Sequence, residues 1–385
     1  MPEAAPRVAL VHDWLVGQRG GEQVLLALAR RFPTAPIYTL VHVPGSVHPE
    51  IEAHPIVTSG IADLPGSPAQ FRRYLPLFGA AVAAWDFSGY EGIVSTSHCV
   101  AMGARRRPDQ WHLAYIHTPM RYLYDQMHHY LPAPPWGPWL YPWARLATAG
   151  LRRGDRQRAQ GPSQLVANSA HVAGRIRRVW GRTAVVVHPP VDVDYFAAAP
   201  VVPVRRGLLV VGALVPYKRV DRAIALANAQ RLPLTVVGRG PELARLRRLA
   251  GPSVQFAPEL DRAGVRAAYA GARGLLFPCT EDFGLVPVEA MAAGCPVLAL
   301  AAGGALETVG QGAAAGGVTF AAPTLPAMAA AVAELEQGWA RGAFAQESLL
   351  ARARQFDAAT FDRRMDALLP CGRDAAAASA GESSC

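Results

Sequence analysis

Cysteine is scarce. The 385 residues hold five, Cys99, Cys279, Cys295, Cys371 and Cys385, and none stands in a Cys-x-x-Cys pair or at a zinc-ligand spacing. An odd count without a framework excludes a disulfide-built scaffold and fits a reducing cytoplasm. There is no uninterrupted apolar run of about 18 residues, so no transmembrane helix is expected. The opening stretch MPEAAPRVALVHDW lacks a basic region, an apolar core and a cleavage site in that order, which predicts no secretory signal. No DxD-type metal site or His/Cys/Asp cluster is apparent, so we expect no metal site and no bound cofactor. No DNA- or RNA-binding motif accompanies the positive charge, which argues against a nucleic-acid partner.

What is present is apolar and basic. Hydrophobic residues make up 51% of the chain, enough for sizeable cores, and the length predicts two or three domains. The net charge is +9, mostly from arginine. Such a balance suits an anionic partner, either a phosphorylated ligand or an anionic membrane face. A coding bias towards Arg and Ala explains the same charge.

Two βα series are legible. The first has strands at RVALVH, PIYTL, GIVSTS, HLAYIHT and LVANS, with a helix at GGEQVLLALARRF. FRRYLPLFGAAVAAW (71–85) reads as a basic amphipathic helix. The Pro- and Trp-rich stretch 131–146 reads as irregular, and the basic run Arg152, Arg153, Arg156, Arg158 follows it. AVVVHPPVDVDYF (184–196) reads as a last strand and connector, extended at its prolines. The second series has strands at RGLLVVGAL, LPLTVVG, VQFAP, GLLFPC, PVLALAA and GGVTF, with helices beginning near Val220, Pro241, Asp261, Gly284 and Gly304. This alternation predicts parallel doubly wound sheets, with ligands at the carboxyl ends of the strands. The small, polar tail from Cys371 reads as disordered.

The most informative segment is FPCTEDFGLVPVEAMAAGCPVLAL (277–300). A strand runs into a loop with Glu281, then into a helix carrying Glu289. A helix N-terminus offers unpaired amides and positive partial charge, and Gly284 permits close approach to them. Glu281 can accept hydrogen bonds from sugar hydroxyls, and Glu289 can hold a ribose diol. Plainer readings stand beside these: a loop acid and a helix-dipole partner.

This segment resembles the E-x7-E motif of retaining glycosyltransferases of family 4, whose architecture is GT-B. VHDWLVGQRGGEQVL, AYIHTPMRYLYD, VANSAHVAGRI, VVVHPPVDVDYF, VVGALVPYKRVDRAI and VVGRGPE follow in that family's order, over residues 7–330. The resemblance implies an α/β chain of two facing Rossmann-like domains with a central cleft. Expected bounds are 1–190 for the acceptor domain and 191–350 for the nucleotide-sugar domain. A helix over 351–370 would pack back on the N-terminal domain, ahead of a tail over 371–385.

The resemblance also implies roles. Glu281 would hold donor-sugar hydroxyls, Lys218 would neutralise the leaving diphosphate, and His117 would sit near the reacting sugar. Phe283, Gly284, Leu285 and Val286 would present the helix N-terminus to the donor. Glu289 would hold the ribose, with Arg219 and Gly238 nearby. Gly20 and Gly21 would let another helix N-terminus approach the diphosphate. Asp13 and Arg121 would face the acceptor. Where many members carry Arg, this chain has Ala213, so Arg219, Arg239 and Arg121 are candidates for the missing cation.

Single residues carry plainer readings too. Gly20-Gly21 is an ordinary helix entry, His117 a core histidine, Lys218 a surface lysine, Asp13 a loop cap, and Gly238 with Gly240 a tight turn.

The expected activity is transfer of a hexose, first choice mannose from GDP-mannose, to a glycan or lipid-linked glycan. Alternatives are a UDP-hexose donor, a sugar-nucleotide epimerase, or a non-catalytic binding protein on the same scaffold. The nucleotide sugar would be a co-substrate. The protein would be cytoplasmic. Peripheral docking on the inner membrane leaflet would use Arg72, Arg73, Tyr74, Leu75, Leu77, Phe78, Val82 and Trp85, and Trp136, Trp139, Tyr141 and Trp143 beside the arginine run. In the plainer reading these aromatics fill the core.

Overall fold

The computed structural model describes residues 7–18, 20–124, 141–257, 260–312 and 315–370, without the side chains of 122 and 141–147. The chain divides into two compact units. One comprises Met1–His188 with the return from Asp362, and the other Pro189–Phe361. The division falls at the His-Pro-Pro turn, two residues before the sequence boundary. The second boundary falls at 361/362 rather than 350, because the helix Gln346–Ala353 and the turn after it stay with the second unit.

The N-terminal unit is built on seven parallel strands: β1 (Val8–His12), β2 (Ile37–Thr39), β3 (Ile56–Thr58), β4 (Gly92–Ser97), β5 (Trp111–Ile116), β6 (Gln164–Ala167) and β7 (Val185–Val186). Their order is β3-β2-β1-β4-β5-β6-β7. Every residue of β4 is buried, as expected of a strand covered on both faces. β3 was not legible, since its three residues are half-buried or exposed at the sheet edge and give no apolar run. Within the same unit, Asp366 of the returning chain accepts from Arg31 Nε at 2.7 Å.

The stretch 71–85 is not one helix. A 3-10 turn spans Phe71–Tyr74, and an α-helix runs only Leu75–Ala83. Pro76 sits in the first helical turn, where its missing N–H costs nothing. Phe71, Phe78 and Val82 are in the core with Trp14, and Trp85 packs edge-on to Tyr38. Of the large apolar residues of 71–85 expected to meet a membrane, Leu77 alone is largely exposed, so the aromatic residues of this stretch work mainly as core. Residues 141–146, read as irregular, form the opening of the helix Tyr141–Arg158, again with a proline in the first turn. Trp136, Trp139, the side chains of Tyr141 and Trp143, and the tail from Cys371 lie outside the described residues. No helix among the described residues is long and apolar enough to cross a membrane.

The C-terminal unit has six parallel strands: β8 (Leu208–Val211), β9 (Leu234–Val237), β10 (Val254–Ala257), β11 (Gly274–Phe277), β12 (Val297–Leu300) and β13 (Gly317–Phe320), in the order β10-β9-β8-β11-β12-β13. β11 and β12 are buried throughout. Helices follow the strands as the sequence spacing predicts. The Asp261 carboxylate caps the helix Arg262–Gly271 by accepting from Gly264 N–H at 2.7 Å, a device worth about 1 kcal/mol. The helix Leu325–Ala340 completes the layer. Both units are doubly wound Rossmann-like α/β folds. Strand order reverses between β1 and β4 in one sheet and between β8 and β11 in the other.

Candidate functional site

In open parallel sheets, ligands settle beyond the carboxyl ends of the strands where the order reverses, because neighbouring loops diverge there and leave a crevice. In the C-terminal unit that point is flanked by the loops after β8 and β11. The first carries Gly212, Ala213 and Lys218. The second carries Pro278 to Glu281. The structure brings Lys218 and Glu281 together there as an ion pair, with both side chains mostly buried. The ammonium also lies over the rings of Phe277, at 5.8 Å, and Tyr217, at 5.9 Å.

Lys218 is the only lysine among the chain's 38 basic residues. An ammonium is a compact point charge, whereas a guanidinium is a planar fork. A single lysine in a chain that otherwise uses arginine was a readable signal, and the motif reading passed over it.

Several backbone features fix these loops. A Cβ on Gly238 would stand 1.9 Å from Gly212 O, and one on Gly240 would stand 2.2 Å from Leu214 O. Both glycines therefore let the two loops touch, and Gly212 N–H and Leu214 N–H donate across to Val237 O and Arg239 O. Gly238 thus has a packing role of its own. Arg219 takes left-handed backbone at φ 53° and directs Nε to Asp221 at 3.3 Å. Arg239 is exposed on the adjoining loop. The Glu281 loop is pinned from behind, since Gly304 N–H donates to Glu281 O at 2.9 Å. Side chains on Gly303 or Gly304 would meet Glu281 O or Phe283 O at 2.3 Å. The sequence reading missed this glycine pair.

The helix Leu285–Ala292 starts from Gly284, whose φ of 94° is open to glycine and strained for other residues. Phe283 is buried against Phe356, ring centroids 5.5 Å apart. Leu285 and Val286 are half-buried in the first turn, where N–H groups have no partner inside the helix. Pro287 removes one further N–H. Glu289 follows one turn on. Its Oε2 accepts from the Tyr269 hydroxyl at 2.9 Å. Burial raises the Glu289 carboxyl above its ordinary value, while Tyr269 and the charge of Arg262 pull it back. Tyr269 is a further partner that no motif revealed.

The reversal point of the N-terminal unit gathers His12, Asp13, His98, Gly21 and His117. Gly21 stands in the first turn of the helix Gly20–Arg31. A Cβ there would lie 3.5 Å from His117 Nε2. Gly20 is exposed beside it. His117 Nε2 is out of contact with solvent and has no hydrogen-bond partner among the described residues. Burial, with His98 and His12 close by, pushes its pKa down to about 3, so the ring is neutral and Nε2 can accept or donate. His12 Nδ1 meets Thr96 Oγ1 at 2.6 Å, and its Nε2 lies 3.8 Å from Glu22.

Asp13 is a different matter. Its carboxylate is fully buried and accepts from the N–H groups of His98, Cys99, Val100 and Ala101 at 2.6 to 2.9 Å. It therefore holds the loop after β4, which is the cap reading, and presents no open face to an acceptor. Arg121 opens the short helix Arg121–Tyr124 and is half-buried. Among the described residues no group of three or more His, Cys, Asp or Glu could hold a metal ion.

Residues 202–349, the span that holds Lys218, Glu281 and Glu289, match the family described as "Glycosyl transferases group 1". The chain is 34% identical over 160 residues to a GDP-mannose-dependent alpha-mannosyltransferase of Mycolicibacterium smegmatis, covering 41% of this chain and 42% of that one. It is 35% identical over 215 residues to a D-inositol 3-phosphate glycosyltransferase of Mycolicibacterium paratuberculosis, covering 49% and 47%. The chain thus spans less than half the length of these curated relatives. The fold of Anabaena Alr3699/HepE, solved in complex with UDP-glucose, superposes with a TM-score of 0.69. That alignment has 18% identity and covers 94% of this chain and 99% of that one.

Proposed function

We propose that this chain, whose segment 202–349 is a glycosyl transferases group 1 domain, is a retaining, metal-independent glycosyltransferase. It moves a hexose from a nucleotide-diphosphate sugar to a glycan or lipid-linked glycan, with GDP-mannose as first-choice donor. The observation that carries this reading is Lys218 held against Glu281 at the strand-order reversal of that domain.

Breaking the glycosidic bond to a diphosphate gives an oxocarbenium-like sugar and a leaving group with growing negative charge. Stabilising that charge with fixed cations and amides is the main source of rate. Lys218 supplies the cation, and the helix N-terminus at Gly284 to Val286 supplies the amides. Glu281 anchors Lys218 and accepts hydrogen bonds from the hydroxyls of the donor sugar. Glu289, oriented by Tyr269, takes the ribose diol. Arg219 and Arg239, the latter exposed on the loop whose backbone pairs with Leu214, are the candidates for the second cation. On the N-terminal unit, His117 with Gly21 beside it offers a neutral ring nitrogen to a ligand.

The M. smegmatis relative supports GDP-mannose. The Anabaena structure supports the second reading, a UDP-hexose donor. A thermal-shift panel of GDP, UDP and ADP with their hexose conjugates, run in EDTA, separates these. Selective stabilisation by GDP and GDP-mannose, lost in Glu289→Ala, supports the first reading. Selective stabilisation by UDP sugars replaces it with the second. Silence towards every nucleotide overturns both. Release of an altered nucleotide sugar without acceptor would mark an epimerase instead.

A further inference from the structure

A basic groove of about 710 Å³ opens on the N-terminal unit. Its wall includes the segment 103–108, which leads into the start of β5, and Gly161, just before β6. It therefore lies towards the amino edge of the sheet, away from the carboxyl edge that carries His117 and Gly21.

Among the described residues, three of its arginines have no carboxylate in ion-pair contact. Arg105 is exposed and makes no hydrogen bond or ion pair among the described residues. Arg106 is held rigidly by backbone carbonyls alone, with Nε on Gly161 O at 3.1 Å and Nη1 on Gln110 O at 3.0 Å. Arg158 has a buried Nε with no hydrogen-bond partner. The groove's fourth arginine, Arg107, is neutralised by Asp109 at 2.9 Å.

Arg158 is also built into place. A Cβ on Gly79 would stand 2.6 Å from its Nη1, one on Gly154 would stand 3.1 Å away, and one on Gly103 would stand 2.6 Å from its Cδ. Glycines on three separate elements thus make room for one guanidinium. Asp155, one turn back on the same helix, attracts Arg158 through its charge without pairing with it directly. That carboxylate takes hydrogen bonds from the Tyr124 hydroxyl at 2.8 Å and Trp180 Nε1 at 2.7 Å, and makes no ion pair with Arg158. A buried donor left unmade is costly, and three cations of one sign in one groove repel. Phosphate oxygens in the groove relieve the repulsion, and a guanidinium fork matches their geometry.

We propose that this groove is a second anion site, which takes a phosphate group through Arg158 and Arg105 with Arg106 as fixed charge. The inference stands apart from the donor-site reading, since it uses none of the same residues.

Arginine footprinting with phenylglyoxal on the full chain, read by mass spectrometry, tests it. The probes are inorganic pyrophosphate and vesicles of phosphatidylglycerol, with phosphatidylcholine vesicles as control. Arg105 and Arg158 should be modified several-fold more slowly with probe, while the exposed Arg178 and Arg248 are unchanged. Lys218→Ala should leave this protection intact, which separates it from the donor site, and Arg105→Gln should weaken protection of Arg158. Protection by pyrophosphate supports the site and identifies a soluble phosphate ligand. Protection by phosphatidylglycerol vesicles alone supports it and identifies a lipid headgroup. No protection by either probe, or equal protection of Arg178 and Arg248, overturns the proposal.

Discussion

Tyr269 donates a 2.9 Å hydrogen bond to Glu289 Oε2, from a helix that precedes β11 to one that follows it. The phenol is fully buried, so the bond fixes one carboxylate oxygen and leaves the other for a ligand. Tyr269→Phe removes this orientation with little change of shape. A hydrogen bond to a charged group is worth about 1.5–3 kcal/mol, so we expect donor affinity to fall by roughly 10- to 100-fold. Isothermal titration with the nucleoside diphosphate checks this, and unchanged affinity would remove Tyr269 from the account.

Glu289 also sets a pH dependence. Burial raises its folded-state pKa. A raised carboxyl contributes stability that is present below its unfolded value and lost as pH rises through the folded one. Glu289→Gln should therefore be more stable than the parent at neutral pH, with the gain vanishing in acid. The same variant should bind donor worse. Urea denaturation at several pH values, paired with donor titration, measures both signs.

For His117 the direction is reversed. Its folded pKa lies at about 3, below the usual histidine value. The resulting stability is present above about 6.5 and is lost as pH falls towards 3. His117→Gln should flatten acid unfolding in that window. In NMR spectra of the folded protein the His117 ring should stay neutral down to pH 5, and a titration near 6.5 would contradict this.

Two glycines should separate packing from chemistry. Gly238→Ala drives a methyl into Gly212 O and should cost about 1–3 kcal/mol of stability. Gly21→Ala makes an ordinary 3.5 Å contact with His117 Nε2, so the fold should survive while kcat/KM falls. Thermal unfolding and steady-state kinetics distinguish them.

How much of this was legible in the sequence depends on the scale of the interaction. Twelve of the thirteen strands were legible, most of them as short apolar runs, because strands covered by helices on both faces are rich in Val, Leu and Ile. The edge strand Ile56–Thr58 gave no such run. Lys218, Glu281 and Glu289 were found because strand ends and helix starts punctuate the chain. Their partners were not. Tyr269 lies 20 positions from Glu289, and Gly304 lies 23 from Glu281, so neither pairing leaves a local pattern. Asp13 looked like a cleft acid because it follows a strand. Only the folded chain shows four backbone donors closing around it.

In the proposed reaction Lys218 meets the diphosphate of a nucleotide sugar. Because it is the sole lysine, an amine-reactive label can modify only this side chain and the N-terminus. The account predicts that GDP-mannose or GDP slows labelling of Lys218 several-fold and leaves the N-terminal amine unaffected. It also predicts that Lys218→Ala lowers kcat by about 10²–10³ without unfolding the protein. Labelling of Lys218 at the same rate with every nucleotide diphosphate and its sugars would contradict it.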